Sequence, residues 1–185
     1  MKFIPTEVEG CRMVELEPFT DERGYFARAW CADEMAAEGL EHHIAQINMS
    51  RSVQAGMIRG LHWRPDPYPE AKFVRCIAGR IFDVCVDVRP GSQTFLRWVG
   101  VELTPDNRLA LAVPAGCAHA YQALDANSEV LYTASAPFEP GVEIGARWND
   151  PSFGIEWPIS EGVIVSEKDQ SWPDFDVAAV RSTKS

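Results

Sequence analysis

Turn signals recur at short intervals along this chain: "DERG" at 21–24, "RPDPYP" at 64–69, "AGR" at 78–80, "RPGS" at 89–92, "TPDN" at 104–107, "PAG" at 114–116 and "DANSE" at 125–129. Gly, Pro, Asn and Asp break regular structure, so the chain is cut into short pieces. The pieces are rich in Val, Ile, Leu and aromatics. "RIFDVCVDV" (80–88) alternates, with Phe82, Val84, Val86 and Val88 on one side and Ile81, Asp83, Cys85 and Asp87 on the other. Period two is the pattern of a strand. "RWVGVELT" (97–104), "NRLALAV" (107–113) and "EVLYTAS" (129–135) read the same way. Short strands at regular spacing predict an antiparallel sandwich or barrel. Helix is confined to "CADEMAAEGL" (31–40), with Gly39 near its end, and to a segment following "SEKD" (166–169). With no repeat, low-complexity stretch or linker, residues 1–185 read as one domain, and the closing "RSTKS" (181–185) is expected to fray.

The formal charge is -10. That argues against nucleic-acid binding, which needs clustered Lys and Arg. It leaves room for an anionic small molecule in a local basic pocket. The five cysteines (11, 31, 76, 85 and 117) lack zinc spacing and are expected to be buried free thiols of a reducing compartment. "MKFIPTEVEG" has no apolar signal core, and no apolar run approaches the roughly 20 residues of a membrane helix. A cytoplasmic protein with no membrane partner is expected.

"RGLHWRP" (59–65) and "PAGCAH" (114–119) raise the question of a metal. The second resembles a conserved cupin motif, Pro-x-Gly-x-x-His. Metal-binding cupins add His-x-His and a Glu in the first motif. Here His62 is followed by Arg64, which cannot ligate a metal and would repel one. His42 and His43 lie on an early polar segment and read as surface residues. No metal and no other cofactor is expected.

A set of stretches carries a resemblance that covers nearly the whole chain: "DERGYF" (21–26), "QINMSRS" (46–52), "GMIRGLHW" (56–63), "AKFVRCIAGRIFDVCVDVR" (71–89), "WVGVEL" (98–103), "VPAGCAHAYQAL" (113–124), "LYTAS" (131–135), "ARWNDPSFGIEWP" (146–158) and "SEKDQ" (166–170). Together and in this order they resemble the dTDP-4-dehydrorhamnose 3,5-epimerase family, a metal-free branch of the cupins. The resemblance implies a mainly β, double-stranded β-helix (jelly-roll) barrel with a few short helices. It implies a homodimer with an N-terminal strand crossing between subunits. It also implies an isomerase acting, inside the barrel, on a nucleotide-linked 4-keto-6-deoxy sugar.

Epimerising a carbon next to a ketone requires a base, a group that stabilises the enolate and an acid on the opposite face. By the resemblance, His62 is the base; an imidazole is suited to accepting a proton at neutral pH. Asp169 would pair with it and fix its tautomer. Asp83 is a second carboxylate candidate, either lining the barrel or solvated. Lys72 would stabilise the enolate oxygen, and Tyr132 would be the acid, although the alternation Leu131–Tyr132–Thr133 does not say which side faces inward. Arg23, Arg59 and Lys168 would hold the diphosphate. Gln46, Asn48 and His119, together with Phe138 and Glu143, correspond to further substrate-binding positions, with Ser50 a weaker case.

Four positions depart from the family pattern. Arg28 stands where an acidic residue is usual, so it can donate to a nucleobase but not accept from one. Trp63 and Arg64 replace the usual Tyr or Phe and Gln after "RGLH". Phe138 stands where Tyr is common and loses its hydroxyl. These residues leave the nucleotide open among dTDP, CDP and GDP, and make Arg28, Trp63 and Arg64 candidates for specificity. A single-centre epimerase and a non-catalytic sugar-binding cupin are the alternatives to inversion at C3 and C5.

Overall fold

The computed structural model describes residues 1–182, with side-chain burial through residue 180. The chain runs through β1 (Lys2–Pro5), β2 (Arg12–Glu15), β3 (Phe19–Asp21), β4 (Gly24–Phe26), α1 (Ala32–Ala37), β5 (Gln46–Ser52), β6 (Met57–Trp63), β7 (Lys72–Ala78), β8 (Ile81–Val86), β9 (Trp98–Leu103), β10 (Leu109–Val113), β11 (Ala118–Ala123), β12 (Ser128–Ala134), β13 (Ile144–Gly145), β14 (Ile164–Val165), α2 (Glu167–Gln170) and α3 (Val177–Ser182). Two six-stranded sheets form a jelly-roll barrel. One has the order β1-β2-β10-β7-β12-β5, the other β13-β6-β11-β8-β9 with β14 parallel to β6. β3 and β4 pair only with each other, as a separate hairpin.

The alternation on β8 is resolved into an inside and an outside. Ile81 and Cys85 join Val74, Cys76, Leu111 and Val130 in the apolar filling between the sheets. Val84, Val86 and Val88 face away from it, under a cover made by Ala146, Phe153 and Phe175. Both faces of the strand are therefore dry. On the other sheet, Phe73, Ala110 and Ala112 pack outward under Met35 of α1. Tyr121 of β11 reaches across from one sheet to the other, its hydroxyl 2.9 Å from Ser50 Oγ and 3.3 Å from Ser52 Oγ on β5.

The second helix does not follow "SEKD" but begins inside it. Ser166 caps it by accepting from the Asp169 amide at 3.1 Å, so the turn starts at Glu167. Of the tail expected to fray, residues 181 and 182 continue α3, and 183–185 lie outside the described residues. Cys11, Cys76, Cys85 and Cys117 are buried, Cys31 is half-buried, and all five are free. Among the described residues, no helix is long and apolar enough to cross a membrane.

One irregularity positions the site. β6 and β11 pair with His62 opposite His119 but Arg59 opposite Tyr121, so three residue steps on β6 face two on β11. In a regular strand, residues three apart point to opposite faces. The extra residue on β6 is a bulge, and it brings Arg59 and His62 to the same face. Gly60 supplies the required backbone, with φ of 113°. A Cβ there would lie 2.6 Å from the His119 carbonyl oxygen and 2.7 Å from Ala120 Cβ. Gly60→Ala is therefore expected to lower the free energy of unfolding by about 3 kcal/mol or more in urea titrations, from clash and left-handed strain together. A loss below about 1 kcal/mol would contradict the account of the bulge.

Candidate active site

A cavity of about 530 Å³ opens between the sheets. One wall comes from β6 and β11, with Arg59, His62, His119 and Tyr121. The facing wall comes from β5, β7 and β12, with Ser50, Lys72 and Tyr132. Glu143, Lys168 and Asp169 complete it from the segments around β13 and α2.

His62 and Asp169, which are 107 residues apart in sequence, meet here. His62 Nε2 lies 2.6 Å from Asp169 Oδ1. The other carboxylate oxygen accepts from the Gly60 amide at 3.2 Å, so the bulge and the dyad are locked together. The Asp169 side chain is 6% exposed and that of His62 23%. Burial acts to raise the Asp169 carboxyl. The hydrogen bond and charge of His62, the Gly60 amide and the Ser166 cap outweigh it and hold the group below its ordinary value. An ionised Asp169 requires the proton on Nε2, which leaves Nδ1 as the free nitrogen. Nδ1 is 4.0 Å from Glu143 Oε1. Burial likewise works to raise Glu143, but the charge of His62 and the hydrogen bond and charge of Lys168 keep it below the usual range. Lys168 Nζ donates to Glu143 Oε1 at 2.8 Å.

A second imidazole–carboxylate pair lies beside the first. His119 Nε2 is 2.8 Å from Asp83 Oδ1. Asp83 is fully buried, and burial pushes its carboxyl up against the opposing pull of His119. The alternative left open for Asp83 is thus decided: it is on the inner side and dry. Tyr132 is half-buried. Burial, with Glu70, Glu143 and Tyr121 adding and Arg59 opposing, pushes its phenol up, so it keeps its proton at neutral pH. Lys72 is bonded to Glu70. Glu70 went unnoticed in the sequence, although its position two residues before Lys72 puts it on the same side of an extended chain. Tyr121 was missed too, and its place two residues after His119 was the available signal.

The chain belongs to the dTDP-4-dehydrorhamnose 3,5-epimerase family. The family model of that description matches residues 5–176. The dTDP-4-dehydrorhamnose 3,5-epimerase of Methanothermobacter thermautotrophicus is 40% identical over 173 residues, 92% of each chain. The crystal structure of the Elizabethkingia anophelis enzyme of the same name superposes with a TM-score of 0.91 at 37% identity, covering 95% of this chain and 96% of that one. A 3,5-epimerase from Legionella pneumophila, solved in complex with dTDP-4-keto-L-rhamnose, gives a TM-score of 0.86 at 35% identity over 92% of this chain and 90% of that chain.

Not every position expected from the 3,5-epimerase family lines this cavity. Gln46 and Asn48 are on β5, opposite Ala134 and Tyr132, on the same side as Ser50 but beyond the wall. Arg23 is on the β3–β4 hairpin, bonded to Asp21 and exposed. Phe138 is 75% exposed. The other three departures also lie off the wall. Arg28 donates to Glu34 at 2.7 Å, Trp63 packs edge-on to Phe175 on the outer face at 5.9 Å, and Arg64 is buried against Glu70 and Pro137. Their first contacts are within their own chain. His42 and His43 are exposed. Among the described residues, no three His, Cys, Asp or Glu side chains converge to hold a metal.

A carboxylate held below its ordinary value contributes stability above its unfolded pKa, near 4, and loses it as the pH falls through the folded value. Asp169→Asn removes that titration. The difference in urea-unfolding free energy between wild type and D169N is expected to shrink from about pH 5 down to about pH 2. A difference that stays constant with pH would contradict the depressed carboxyl.

Proposed function

We propose that this protein epimerises C3 and C5 of a dTDP-linked 4-keto-6-deoxyhexose, as a dTDP-4-dehydrorhamnose 3,5-epimerase. The observation that carries the reading is the His62–Asp169 pair, with Nδ1 free toward a cavity whose opposite wall holds Tyr132 and Lys72. Both target carbons are α to the same C4 ketone, so one enolate stabiliser serves both. His62 Nδ1 takes the proton from C3 or C5, and the C–H electron pair moves onto the C4 oxygen. Lys72 stabilises that oxygen; removal of such a group typically slows a reaction by about two to three orders of magnitude. Tyr132 returns a proton from the other side. The placement of base and acid on facing sheets supports inversion, because a sugar ring held between them presents one face to each.

The diphosphate is held by Arg59 and Lys168, with His119, Gln46, Asn48 and Glu143 completing contacts to the sugar and nucleotide. A homodimer accounts for Arg23, which its own cavity does not reach. Its hairpin carries Phe19, Tyr25 and Phe26 at 76%, 56% and 72% exposure, and β5 shows Ile47 and Met49 at 61% and 63%. Apolar side chains this open favour burial by a second copy. That copy receives the hairpin and, with it, Arg23 beside its own diphosphate site.

Solvent-deuterium exchange followed by NMR tests the reaction. Incubation of dTDP-4-keto-6-deoxyglucose in heavy water is expected to label C3 and C5, with or without prior exhaustive chelation. Labelling at one centre supports the single-centre epimerase instead, and binding without labelling supports the non-catalytic module. His62→Asn is expected to abolish exchange, by about 10³-fold or more. Tyr132→Phe is expected to keep some wash-out while losing net inversion; an unimpaired Y132F enzyme would remove Tyr132 from the role of acid.

A further inference from the structure

Arg64 follows β6 immediately, two residues beyond His62. Its side chain is 7% exposed, an uncommon fate for an arginine without a carboxylate partner. Nη1 donates to the Pro137 carbonyl at 3.0 Å and lies 3.4 Å from Glu70 Oε1. The other oxygen of Glu70 is taken by Lys72 Nζ. Glu70 and Lys72 are 10% and 13% exposed at their side chains. Three charges thus stand in a row, cation–anion–cation, almost out of water. Only Lys72 reaches the cavity.

The sum of these charges bears on the reaction. Glu70 and Lys72 alone would form a neutral pair, and a developing oxyanion beside them would meet a cation already engaged. Arg64 adds a positive charge on the far side of Glu70 and leaves the row with one in excess. In a water-poor site such differences act at short range with little screening. We propose that Arg64 is a positioning residue for the enolate step, sharing Glu70 so that the charge of Lys72 is available to the C4 oxygen. This rests on the epimerase reading. Arg64 touches no substrate and acts through Glu70. The loop from residue 64 to 71 brings Glu70 back beside Arg64, and Tyr132 stands within the field of the same carboxylate. The role assigns a function to a residue that the sequence singles out only as a departure.

Steady-state kinetics of wild type, Arg64→Gln, Arg64→Lys and the double variant R64Q/E70Q separate the possibilities. R64Q is expected to lower kcat about 10-fold, less than direct loss of an oxyanion donor, with KM changed by less than about twofold. R64K keeps the charge and is expected to recover most of the loss. R64Q/E70Q removes the anion that engages Lys72 and is expected to exceed R64Q by about threefold or more. An unchanged kcat in R64Q, or a double variant slower than R64Q, overturns the proposal. Should R64Q fail to fold, the double variant, which restores the single excess positive charge of the row, decides: kcat within about threefold of wild type supports the role and a larger loss overturns it. Wild-type turnover is measured first, so failure of the epimerase reading registers separately as absence of exchange in the unmodified protein.

Discussion

The hydrogen bond from His62 Nε2 to Asp169 Oδ1, at 2.6 Å, is the contact to which the rest of the cavity is tied. It joins the C-terminal end of β6 to the four-residue helix α2, so it exists only when the barrel and its C-terminal cover are both assembled. The carboxylate is shared with the Gly60 amide at the bulge. One buried group thereby fixes a backbone irregularity, a ring orientation and a tautomer. The bulge in turn brings Arg59 and His62 to one face, which a regular strand would not allow.

Charge is managed locally in a protein whose formal net charge is -10. Two cations facing the cavity have an anion at hand, Glu143 for Lys168 and Glu70 for Lys72, whereas Arg59 donates to the Arg51 carbonyl at 2.9 Å. Each histidine of the facing pair on β6 and β11 is bonded through Nε2 to a carboxylate. This lowers the cost of burying charge before a ligand arrives. It also means that an anionic substrate competes with internal carboxylates, so the arrangement of spare positive charge matters as much as its count. The Arg64–Glu70–Lys72 row is where that balance is most visible.

Much of the architecture was legible in the sequence, because alternation and turn residues are local properties. β8, β9 and β10 fall within the stretches read as strands, β12 begins one residue before its own, and α1 falls within its helical segment, whereas β11 was not read as a strand. What alternation could not supply was which side of a strand is inside. Asp83 stayed open for this reason, since both faces of β8 are covered, one by the opposite sheet and one by the C-terminal segment. The bulge at Gly60 was illegible because it is defined by pairing with β11. The partner of His62 needed a resemblance rather than spacing, since the fold alone brings residue 169 to residue 62. Arg28, Trp63 and Arg64 stood out as departures, yet their contacts are with Glu34, Phe175 and Glu70, partners that no local pattern indicates.

The central claim is that Asp169 holds His62 with the proton on Nε2 and leaves Nδ1 free to act as the base. Long-range ¹H–¹⁵N correlation NMR of the imidazole tests it directly, with His62→Asn used to assign the signals. The account predicts that neutral His62 is the Nε2–H tautomer, that its Nδ1 is unprotonated, and that Asp169→Asn weakens this preference. A neutral His62 carrying its proton on Nδ1 in the wild-type protein would contradict it.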